Sequence, residues 1–194
     1  MMLTLYFAPG SSSMAVHIAL HEVGATFETK PMSLKRNDTH TPEFLKINPA
    51  GKVPTLLIDG RPLVEVAGIL FYLGRRFPDA GLLPHGDIEA EARVVSWMSF
   101  IASTLHPARQ RGMDHAREIY GVADRLLGLR WVLGERYSVA DIHLFRLYWR
   151  ILPALAPAPG TFPNLDALYA RMMARGAVQR TLEAETAAGY ELPA

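Results

Sequence analysis

The chain has 194 residues, of which 49% are hydrophobic and 20% are charged, a composition typical of one folded domain or two small ones. It contains no cysteine, which excludes disulfides, thiolate zinc sites, a Cys-x-x-Cys redox pair and a cysteine nucleophile. Its formal net charge of +1 argues against a general affinity for nucleic acid or for anionic membranes.

Neither the first ten residues nor the apolar stretch at residues 142–155 has the features of a signal peptide or of a membrane-spanning helix. The first ten residues carry neither a positively charged stretch nor a long apolar run, so they predict no signal peptide. Residues 142–155 are apolar, but they are too few to span a bilayer and they include Arg146 and Arg150. Together with the absence of cysteine, these features predict a cytoplasmic protein without membrane or nucleic-acid partners.

The start of the chain predicts a βαβ unit. Residues 3–7 are apolar and aromatic, as in a short strand, and residues 8–10 form a turn signal. The three serines at 11–13 are good N-caps for a helix with a broad apolar face, which ends at Gly24. Residues 26–32 again have strand character. Because a helix separates the two strands, we expect them to be parallel.

The next segment predicts a short helix, a hairpin and a second helix. Thr41 before Pro42 is typical of a helix start. Asp59-Gly60 lies between two apolar runs over residues 53–64, which is the strongest short-range hairpin signal. A helical pattern follows over residues 65–76. Residues 1–77 therefore predict an α/β domain of the order βαβ-α-ββ-α.

The rest of the chain is helical in pattern. Residues 78–87, with their prolines and glycines, predict a linker to an all-helical domain over residues 88–194. Ser138 and Asp141 have the spacing of a capping box, which marks the start of a helix. The five predicted helices cover residues 88–111, residues 114–129, a segment from 138 to the break at 153–159, residues 163–175 and residues 177–186.

Three features of the first domain indicate a ligand site. Residues 11–13 precede a helix N-terminus, whose N–H groups stabilise an anion, although the same serines also suit simple capping. Val53-Pro54 opens a strand; a cis bond there would present the Val53 backbone to a ligand, whereas a trans proline would merely enter an edge strand. Glu65, at a helix start, would bind an ammonium group or only complement the helix dipole.

The sequence resembles the glutathione S-transferase superfamily over nearly its whole length, and the bacterial beta class in particular. The opening is most like the beta-class fragment Pro-Gly-x-Cys-Ser, with Ser12 at the cysteine position. Four motifs in the right order carry the resemblance: Leu5-Tyr-Phe-Ala-Pro-Gly-Ser-Ser-Ser13, Asn48-Pro-Ala-Gly-Lys-Val-Pro-Thr-Leu-Leu57, Leu63-Val-Glu-Val-Ala-Gly-Ile69 with Tyr72-Leu73, and Ser138-Val-Ala-Asp141.

The resemblance implies a thioredoxin-like N-terminal domain, an all-helical C-terminal domain, a homodimer, and glutathione as the cosubstrate with no metal. It implies that the main chain of Val53 holds the cysteinyl part of glutathione and that Pro54 is a cis proline. By the same resemblance, Glu65 holds the γ-glutamyl ammonium group, and Lys52 lies near the glutathione backbone.

The chain departs from the family pattern at three places. Ser12 replaces the beta-class cysteine, so a mixed disulfide at that position is excluded, although a hydroxyl can still donate to a bound thiolate. Val66 replaces the usual serine after Glu65, which leaves only its backbone N–H at the helix start. The stretch between His106 and Tyr137 is short, which predicts a stunted helical hairpin and an open second-substrate site.

Other residues compete for the role of thiol donor. Ser11 matches the serine that some serine-type classes use, and Tyr6 ends the first strand like the catalytic tyrosine of the tyrosine-type classes. We rank Ser12 first and Ser11 second, because the equivalent tyrosine looks structural in a beta-like chain. His106 matches a beta-class histidine near the thiol, and it is otherwise an ordinary surface or core residue.

The resemblance therefore predicts a glutathione transferase that conjugates glutathione to small hydrophobic electrophiles in detoxification, through a stabilised thiolate. Two alternatives stay open. One is a glutathione-dependent isomerase or dehalogenase on the same fold. The other is a family member without catalytic activity that binds glutathione or regulates a stress response.

Overall fold

The computed structural model describes residues 1–128 and 130–191, which form two compact units. The first comprises Met1–Arg76 and the last helix, and the second is Phe77–Arg175. The sequence placed residues 176–194 in the helical domain, whereas the described part of this segment belongs to the first unit. The predicted helix end at residue 129 and residues 192–194 lie outside the described residues.

The described residues contain four strands and eight α-helices. The strands are β1 (Leu3–Phe7), β2 (Glu28–Pro31), β3 (Thr55–Ile58) and β4 (Arg61–Val64). The helices are α1 (Ser13–Glu22), α2 (Pro42–Ile47), α3 (Val66–Arg76), α4 (Ile88–Phe100), α5 (Met113–Leu127), α6 (Val139–Leu155), α7 (Pro163–Met173) and α8 (Gly176–Ala188).

The first unit is built on one mixed sheet in the order β2-β1-β3-β4. β1 and β2 are parallel, as the βαβ pattern predicts, and β3 and β4 form the predicted antiparallel hairpin. The hairpin turns through Asp59 (φ 48°) and Gly60 (φ 81°), because a two-residue turn of this twist needs two positive φ angles. The predicted order βαβ-α-ββ-α is confirmed.

Helix α1 is the buried centre of this unit. It packs against β1, α3 and α8, and every residue from 13 to 20 is buried, which explains an apolar pattern that covers most of the helix surface. The apolar core of this unit includes Met14 and Ile18 of α1 itself and, around the helix, Leu3, Leu5, Phe7, Leu56, Ile69, Leu70 and Leu73.

The predicted single helix over residues 88–111 is wrong in its second half. Regular α-helix ends at Phe100, a π-helical turn covers Ile101–Leu105, and a 3₁₀ segment covers His106–Arg111. Pro107 has no backbone N–H to donate, so the α-helical hydrogen-bond ladder cannot continue through it. The wider and then tighter turns change which side chains of this segment share a face.

The capping box that opens α6 is present as predicted. The backbone N–H of Ser138 donates to Asp141 Oδ2 at 2.9 Å, and Ser138 Oγ accepts from the N–H of Ala140 at 3.3 Å. The helix continues past Pro153, where the sequence predicted its end, and closes at Ala156 with a φ of 40°. In the described part of the chain, every helix is too short or too polar to cross a membrane.

Candidate functional site

The strand register brings three predicted site segments to one edge of the sheet. Tyr6 of β1 pairs with Thr55 of β3, and Thr55 pairs with Val64 of β4. The loop after β1, the residues before β3 and the residue after β4 therefore leave the sheet at the same end. Neighbouring strands lie about 4.8 Å apart, and β4 is two strands away from β1. Val64 in β4 therefore lies roughly 10 Å from Tyr6 in β1, a distance that a small peptide can span.

A buried asparagine shapes the loop that leads into β3. Asn48 Nδ2 donates to the carbonyl of Lys52 at 2.8 Å and to Thr55 Oγ1 at 3.0 Å. The Val53–Pro54 bond is cis, which settles the alternative that the sequence left open. Among the described residues, no backbone hydrogen bond uses the amide or the carbonyl of Val53, and Lys52 is exposed.

The serine loop does not cap α1 in the predicted way. Ser11 and Ser13 are buried, and their hydroxyl oxygens lie 2.7 Å apart. Ser13 Oγ donates to the carbonyl of Ala8 at 3.1 Å, so both hydroxyls belong to one buried hydrogen-bonded cluster. Ser12 occupies the N-cap position, half-buried, and its side chain makes no capping hydrogen bond.

A residue from the far end of the chain anchors this loop. Glu185 of α8 is fully buried, and its Oε2 accepts from the N–H of Gly10 at 2.7 Å. Its Oε1 lies 3.1 Å from Nδ1 of the buried His17. A carboxylate only accepts, so His17 Nδ1 is the donor of this bond. No local motif around residue 185 signals this contact, and sequence reasoning missed it.

His17 and His21, which have the spacing of a metal-binding pair, stack on each other instead. Their ring centroids are 5.2 Å apart, with 22° between the planes. Burial lowers the pKa of His21 to about 4, and the charges of His17 and Arg180 add to this effect. Within residues 1–128 and 130–191, no group of three or more His, Asp or Glu side chains could hold a metal ion.

Glu65 adopts a backbone conformation that is unusual for a residue with a side chain. Its φ is 66°, in the left-handed region that costs an L-residue about 1 kcal/mol or more. Its carbonyl accepts from the N–H of Ile69 at 3.0 Å, which starts α3, while its side chain is exposed. Val66, the first residue of α3, is half-buried. Backbone outliers of this kind cluster at active sites and ligand clamps.

Tyr6 points to the opposite side of the sheet from α1. Its ring lies 5.4 Å from that of Phe44 in α2, whereas the neighbouring Phe7 contacts His17 of α1 at 5.2 Å between ring centroids. This alternation follows from the two-residue period of a strand. Tyr6 therefore packs on α2 and does not belong to the serine loop.

His106 lies in the helical unit, where it borders a cavity of about 450 Å³. Burial lowers the pKa of His106, and the charge of Arg146 lowers it further. Arg109, which is exposed, also lines this cavity. The lining consists of three arginines, a histidine, a glutamine, a tyrosine and two aliphatic residues: His106, Arg109, Gln110, Tyr120, Arg146, Leu147, Arg150 and Ile151.

Comparisons with known proteins cover nearly the whole chain. The model of the glutathione S-transferase N-terminal domain matches residues 1–75, and that of the C-terminal domain matches residues 88–176. A Xanthomonas campestris pv. campestris protein named glutathione S-transferase GST-4.5 is 32% identical over 205 residues, which covers 93% of this chain and 98% of that one.

Solved structures agree with these matches. The beta-class glutathione S-transferase of Sphingomonas chungbukensis is 34% identical, with a TM-score of 0.81 over 94% of this chain and 98% of that one. A glutathione transferase homologue from Sulfitobacter, solved with bound glutathione, is 31% identical, with a TM-score of 0.82 over 94% of this chain and 98% of that one. The predicted fold class, the resemblance and the prediction of a glutathione transferase are confirmed by these similarities.

Proposed function

The chain belongs to the glutathione S-transferase family, and we propose that it binds glutathione in its N-terminal unit and transfers the thiolate to a small hydrophobic electrophile. One observation carries this proposal. Of the three serines in the loop, Ser12 alone is half-buried with a hydroxyl outside the internal hydrogen bonds of the described loop. It stands at the N-terminus of α1, where an anion is stabilised.

Thiolate formation is the chemical step that the site must support. A free thiol of this kind has a pKa of about 8.5. Lowering it by about two units requires roughly 2.7 kcal/mol of preferential interaction with the thiolate. A charge-assisted hydrogen bond from Ser12 supplies about 1.5–3 kcal/mol, and the partial positive charge at the start of α1 adds to it. No covalent bond to the protein is needed.

The remaining contacts to glutathione follow from the same edge of the sheet. In our proposal, Val53 pairs its amide and carbonyl with the cysteinyl backbone, and the Glu65 carboxylate holds the γ-glutamyl ammonium group. Residue 66 is a valine and has no side-chain hydroxyl, so in this proposal only its backbone N–H, at the start of α3, donates to the γ-glutamyl carboxylate. We propose that the exposed Lys52 lies near the backbone of glutathione.

The structure favours Ser12 over the other candidates. The Ser11 hydroxyl is engaged in the buried pair with Ser13, and Tyr6 packs on α2. His106 belongs to the other compact unit, so its assignment to the glutathione site remains a prediction.

We also propose a compartment and an oligomeric state for the protein. Reduced glutathione needs a reducing compartment, so we place the protein in the cytoplasm. We also propose a homodimer, because the exposed surface includes large apolar side chains, Phe71 of α3 at 43% and Val95 of α4 at 56%. Sedimentation of the purified protein tests the dimer; a monomer at micromolar concentration contradicts it.

Binding and turnover measured on the same samples test the function. We expect saturable calorimetric binding of reduced glutathione and turnover of 1-chloro-2,4-dinitrobenzene. Glu65→Gln should weaken glutathione binding at least tenfold, whereas Glu43→Gln, an exposed acid of α2, should leave it unchanged. Absence of binding contradicts the whole proposal. Binding and thiolate formation without turnover of the aryl halide would favour an isomerase, a dehalogenase or a binding protein.

A further inference from the structure

The chain that follows α8 returns to the sheet and contacts the loop after β2, residues 33–38, which we call the β2 loop. Gly189 has a φ of 87°, a conformation that glycine adopts without steric cost and that commonly ends a helix. Residues 189–191 then form a strap that reaches the β2 loop. Both segments belong to the first compact unit.

The Glu191 carboxylate at the end of this strap accepts hydrogen bonds from two groups of the β2 loop. Ser33 Oγ lies 2.7 Å from Oε1 and 2.9 Å from Oε2, and it is the donor because a carboxylate only accepts. The N–H of Lys35 donates to Oε2 at 3.2 Å. The Ser33 hydroxyl and the Lys35 N–H hold the pKa of the Glu191 carboxyl below its usual range. The strap is therefore bound to the loop through an ionised group.

Ser33 is also the residue that closes the β2 loop on itself. Its N–H donates to Asp38 Oδ2 at 2.8 Å, and its carbonyl accepts from the N–H of Asp38 at 3.0 Å. Its Oγ accepts from the N–H of Arg36 at 3.0 Å. Ser33 is buried, whereas residues 34–37 are exposed. Because all of these bonds meet at Ser33, the contact with Glu191 holds the whole loop and not one side chain.

The far end of the β2 loop packs on the segment that leads into β3. Asp38 ends the loop and opens the 3₁₀ turn Asp38–His40. A Cβ on Gly51 would lie only 3.0 Å from His40 Nε2 and 3.2 Å from the Thr39 carbonyl, so the backbone of Gly51 is closely packed against this turn. Val53 follows two residues later. Because closely packed segments transmit displacements, a shift of the β2 loop reaches the main chain of Val53.

We propose that Glu191 is a positioning residue for glutathione binding, an inference that rests on the function proposed above. Its carboxylate fixes the β2 loop, and the 3₁₀ turn after this loop keeps Gly51 and the main chain of Val53 in place for the cysteinyl backbone of the tripeptide. Glu191 acts on the affinity for glutathione and not on the thiolate, because the donor Ser12 stands on a separate loop that Glu185 anchors.

Limited proteolysis with trypsin tests the hold of Glu191 on the β2 loop. Lys35 and Arg36 are exposed, and a folded loop is cleaved when it opens locally. We expect cleavage after these residues to be about fivefold faster in Glu191→Ala than in the parent protein. Ser33→Ala should act in the same way, and the double variant should add little, since both changes remove one contact. Glu183→Ala, an exposed acid of α8, is the matched control and should be cleaved at the parent's rate.

Glutathione kinetics on the same variants test the coupling to Val53. In Glu191→Ala we expect the KM for glutathione and its calorimetric Kd to rise about three- to tenfold, with kcat at saturating glutathione unchanged. Glu191→Gln keeps one oxygen acceptor without the charge, so its values should lie between those of Glu191→Ala and the parent. A merely structural role would not separate KM from kcat in this way.

Circular dichroism and thermal melting of each variant establish that it is folded before rates and affinities are compared. An unchanged tryptic rate in Glu191→Ala would overturn the proposal, as would faster cleavage with an unchanged affinity for glutathione. A parent protein that binds no glutathione would overturn the function proposed above and this inference with it, and the affinity of the parent distinguishes that case from a failure of the strap alone.

Discussion

Glu185 accepts a hydrogen bond from the backbone N–H of Gly10 at 2.7 Å, across 175 residues of sequence. The same carboxylate lies 3.1 Å from Nδ1 of His17. Helix α8 is therefore bonded both to the serine loop and to α1, the helix that follows this loop in the chain. Both partners are buried. Helix α8 therefore helps to fix the shape of the loop, in which the half-buried Ser12 keeps its hydroxyl outside the internal hydrogen bonds.

Removal of the Glu185 carboxylate should destabilise the fold strongly. Glu185→Ala leaves the Gly10 N–H and the His17 ring without their partner in a dry interior, and we expect a loss of about 3–5 kcal/mol in the free energy of unfolding. Glu185→Gln keeps one acceptor and should lose less. Urea titrations measure both, with Glu183→Ala on the exposed face of α8 as the control. A loss below 1 kcal/mol in Glu185→Ala would contradict the anchoring role.

Gly51 should tolerate alanine less well than a glycine of the same conformation elsewhere. Gly51 and Gly24 have φ of 61° and 64°, but a Cβ on Gly51 would lie 3.0 Å from His40 Nε2 and 3.2 Å from the Thr39 carbonyl, whereas Gly24 faces open space. Gly24→Ala should cost about 1–2 kcal/mol from its backbone conformation alone.

Gly51→Ala adds the steric contact to this conformational cost, so we expect at least about 1 kcal/mol more than for Gly24→Ala. Urea unfolding of both variants measures the difference. Equal losses would mean that the loop before Val53 moves freely away from His40, and that its packing does not fix the position of Val53.

His143 should make the stability of the protein depend on pH. Burial, with the charges of Arg146 and His106, lowers its pKa from 6.5 to about 3. Between these values the unfolded chain binds the additional proton, so this residue's contribution to stability falls as the pH decreases, by about 1.4 kcal/mol per pH unit. Asp141 has the opposite sign: burial raises its pKa to about 6, so its contribution falls as the pH rises through that value.

A His143→Gln variant isolates the histidine. From pH 6.5 to pH 5, its free energy of unfolding should improve by about 2 kcal/mol relative to that of the parent protein. Unfolding curves at both pH values measure this difference, and His85→Gln, an exposed histidine, should show no such change. A constant difference between His143→Gln and the parent would show that His143 titrates normally in the fold.

Substitutions of Ser11 and Tyr6, the other candidate donors to the thiolate, should have different effects on stability and activity. Ser11→Ala removes one member of the buried hydroxyl pair, so we expect a loss of about 1–3 kcal/mol in stability and little effect on the pKa of bound glutathione. Tyr6→Phe keeps the packing on Phe44 and should retain nearly full activity. Turnover reduced tenfold or more in Tyr6→Phe, with unchanged stability, would transfer the donor role to Tyr6.

Local signals predicted most of the fold. The apolar and aromatic run of residues 3–7, the Asp59-Gly60 turn and the Ser138–Asp141 capping box each depend on neighbours within a few residues, and each predicted element appears in the structure. Pro107 is also a local signal. Because a proline inside a helix interrupts the backbone hydrogen bonds, it predicts a break within residues 88–111. The π-helical turn that precedes it has no such sequence signature.

The parts of the site that escaped prediction all depend on long-range packing. Glu185 has no sequence feature that relates it to Gly10. From the sequence, Arg146 and Arg150 served only as evidence against a membrane-spanning helix. Nothing in the sequence of α6 shows that they line the same cavity as Arg109. Burial and long-range contact decide these roles, and they become visible only in three dimensions.

The role of Ser12 is tested most directly by the thiolate absorbance of glutathione bound to the parent protein and to Ser12→Ala, recorded across pH 5–9 with Ser96→Ala of α4 as control. We expect a thiolate band near neutral pH in the parent and in the control, and in Ser12→Ala a pKa of the bound thiol that is higher by about 1–2 units. A band that titrates identically in the parent and in Ser12→Ala would contradict this role.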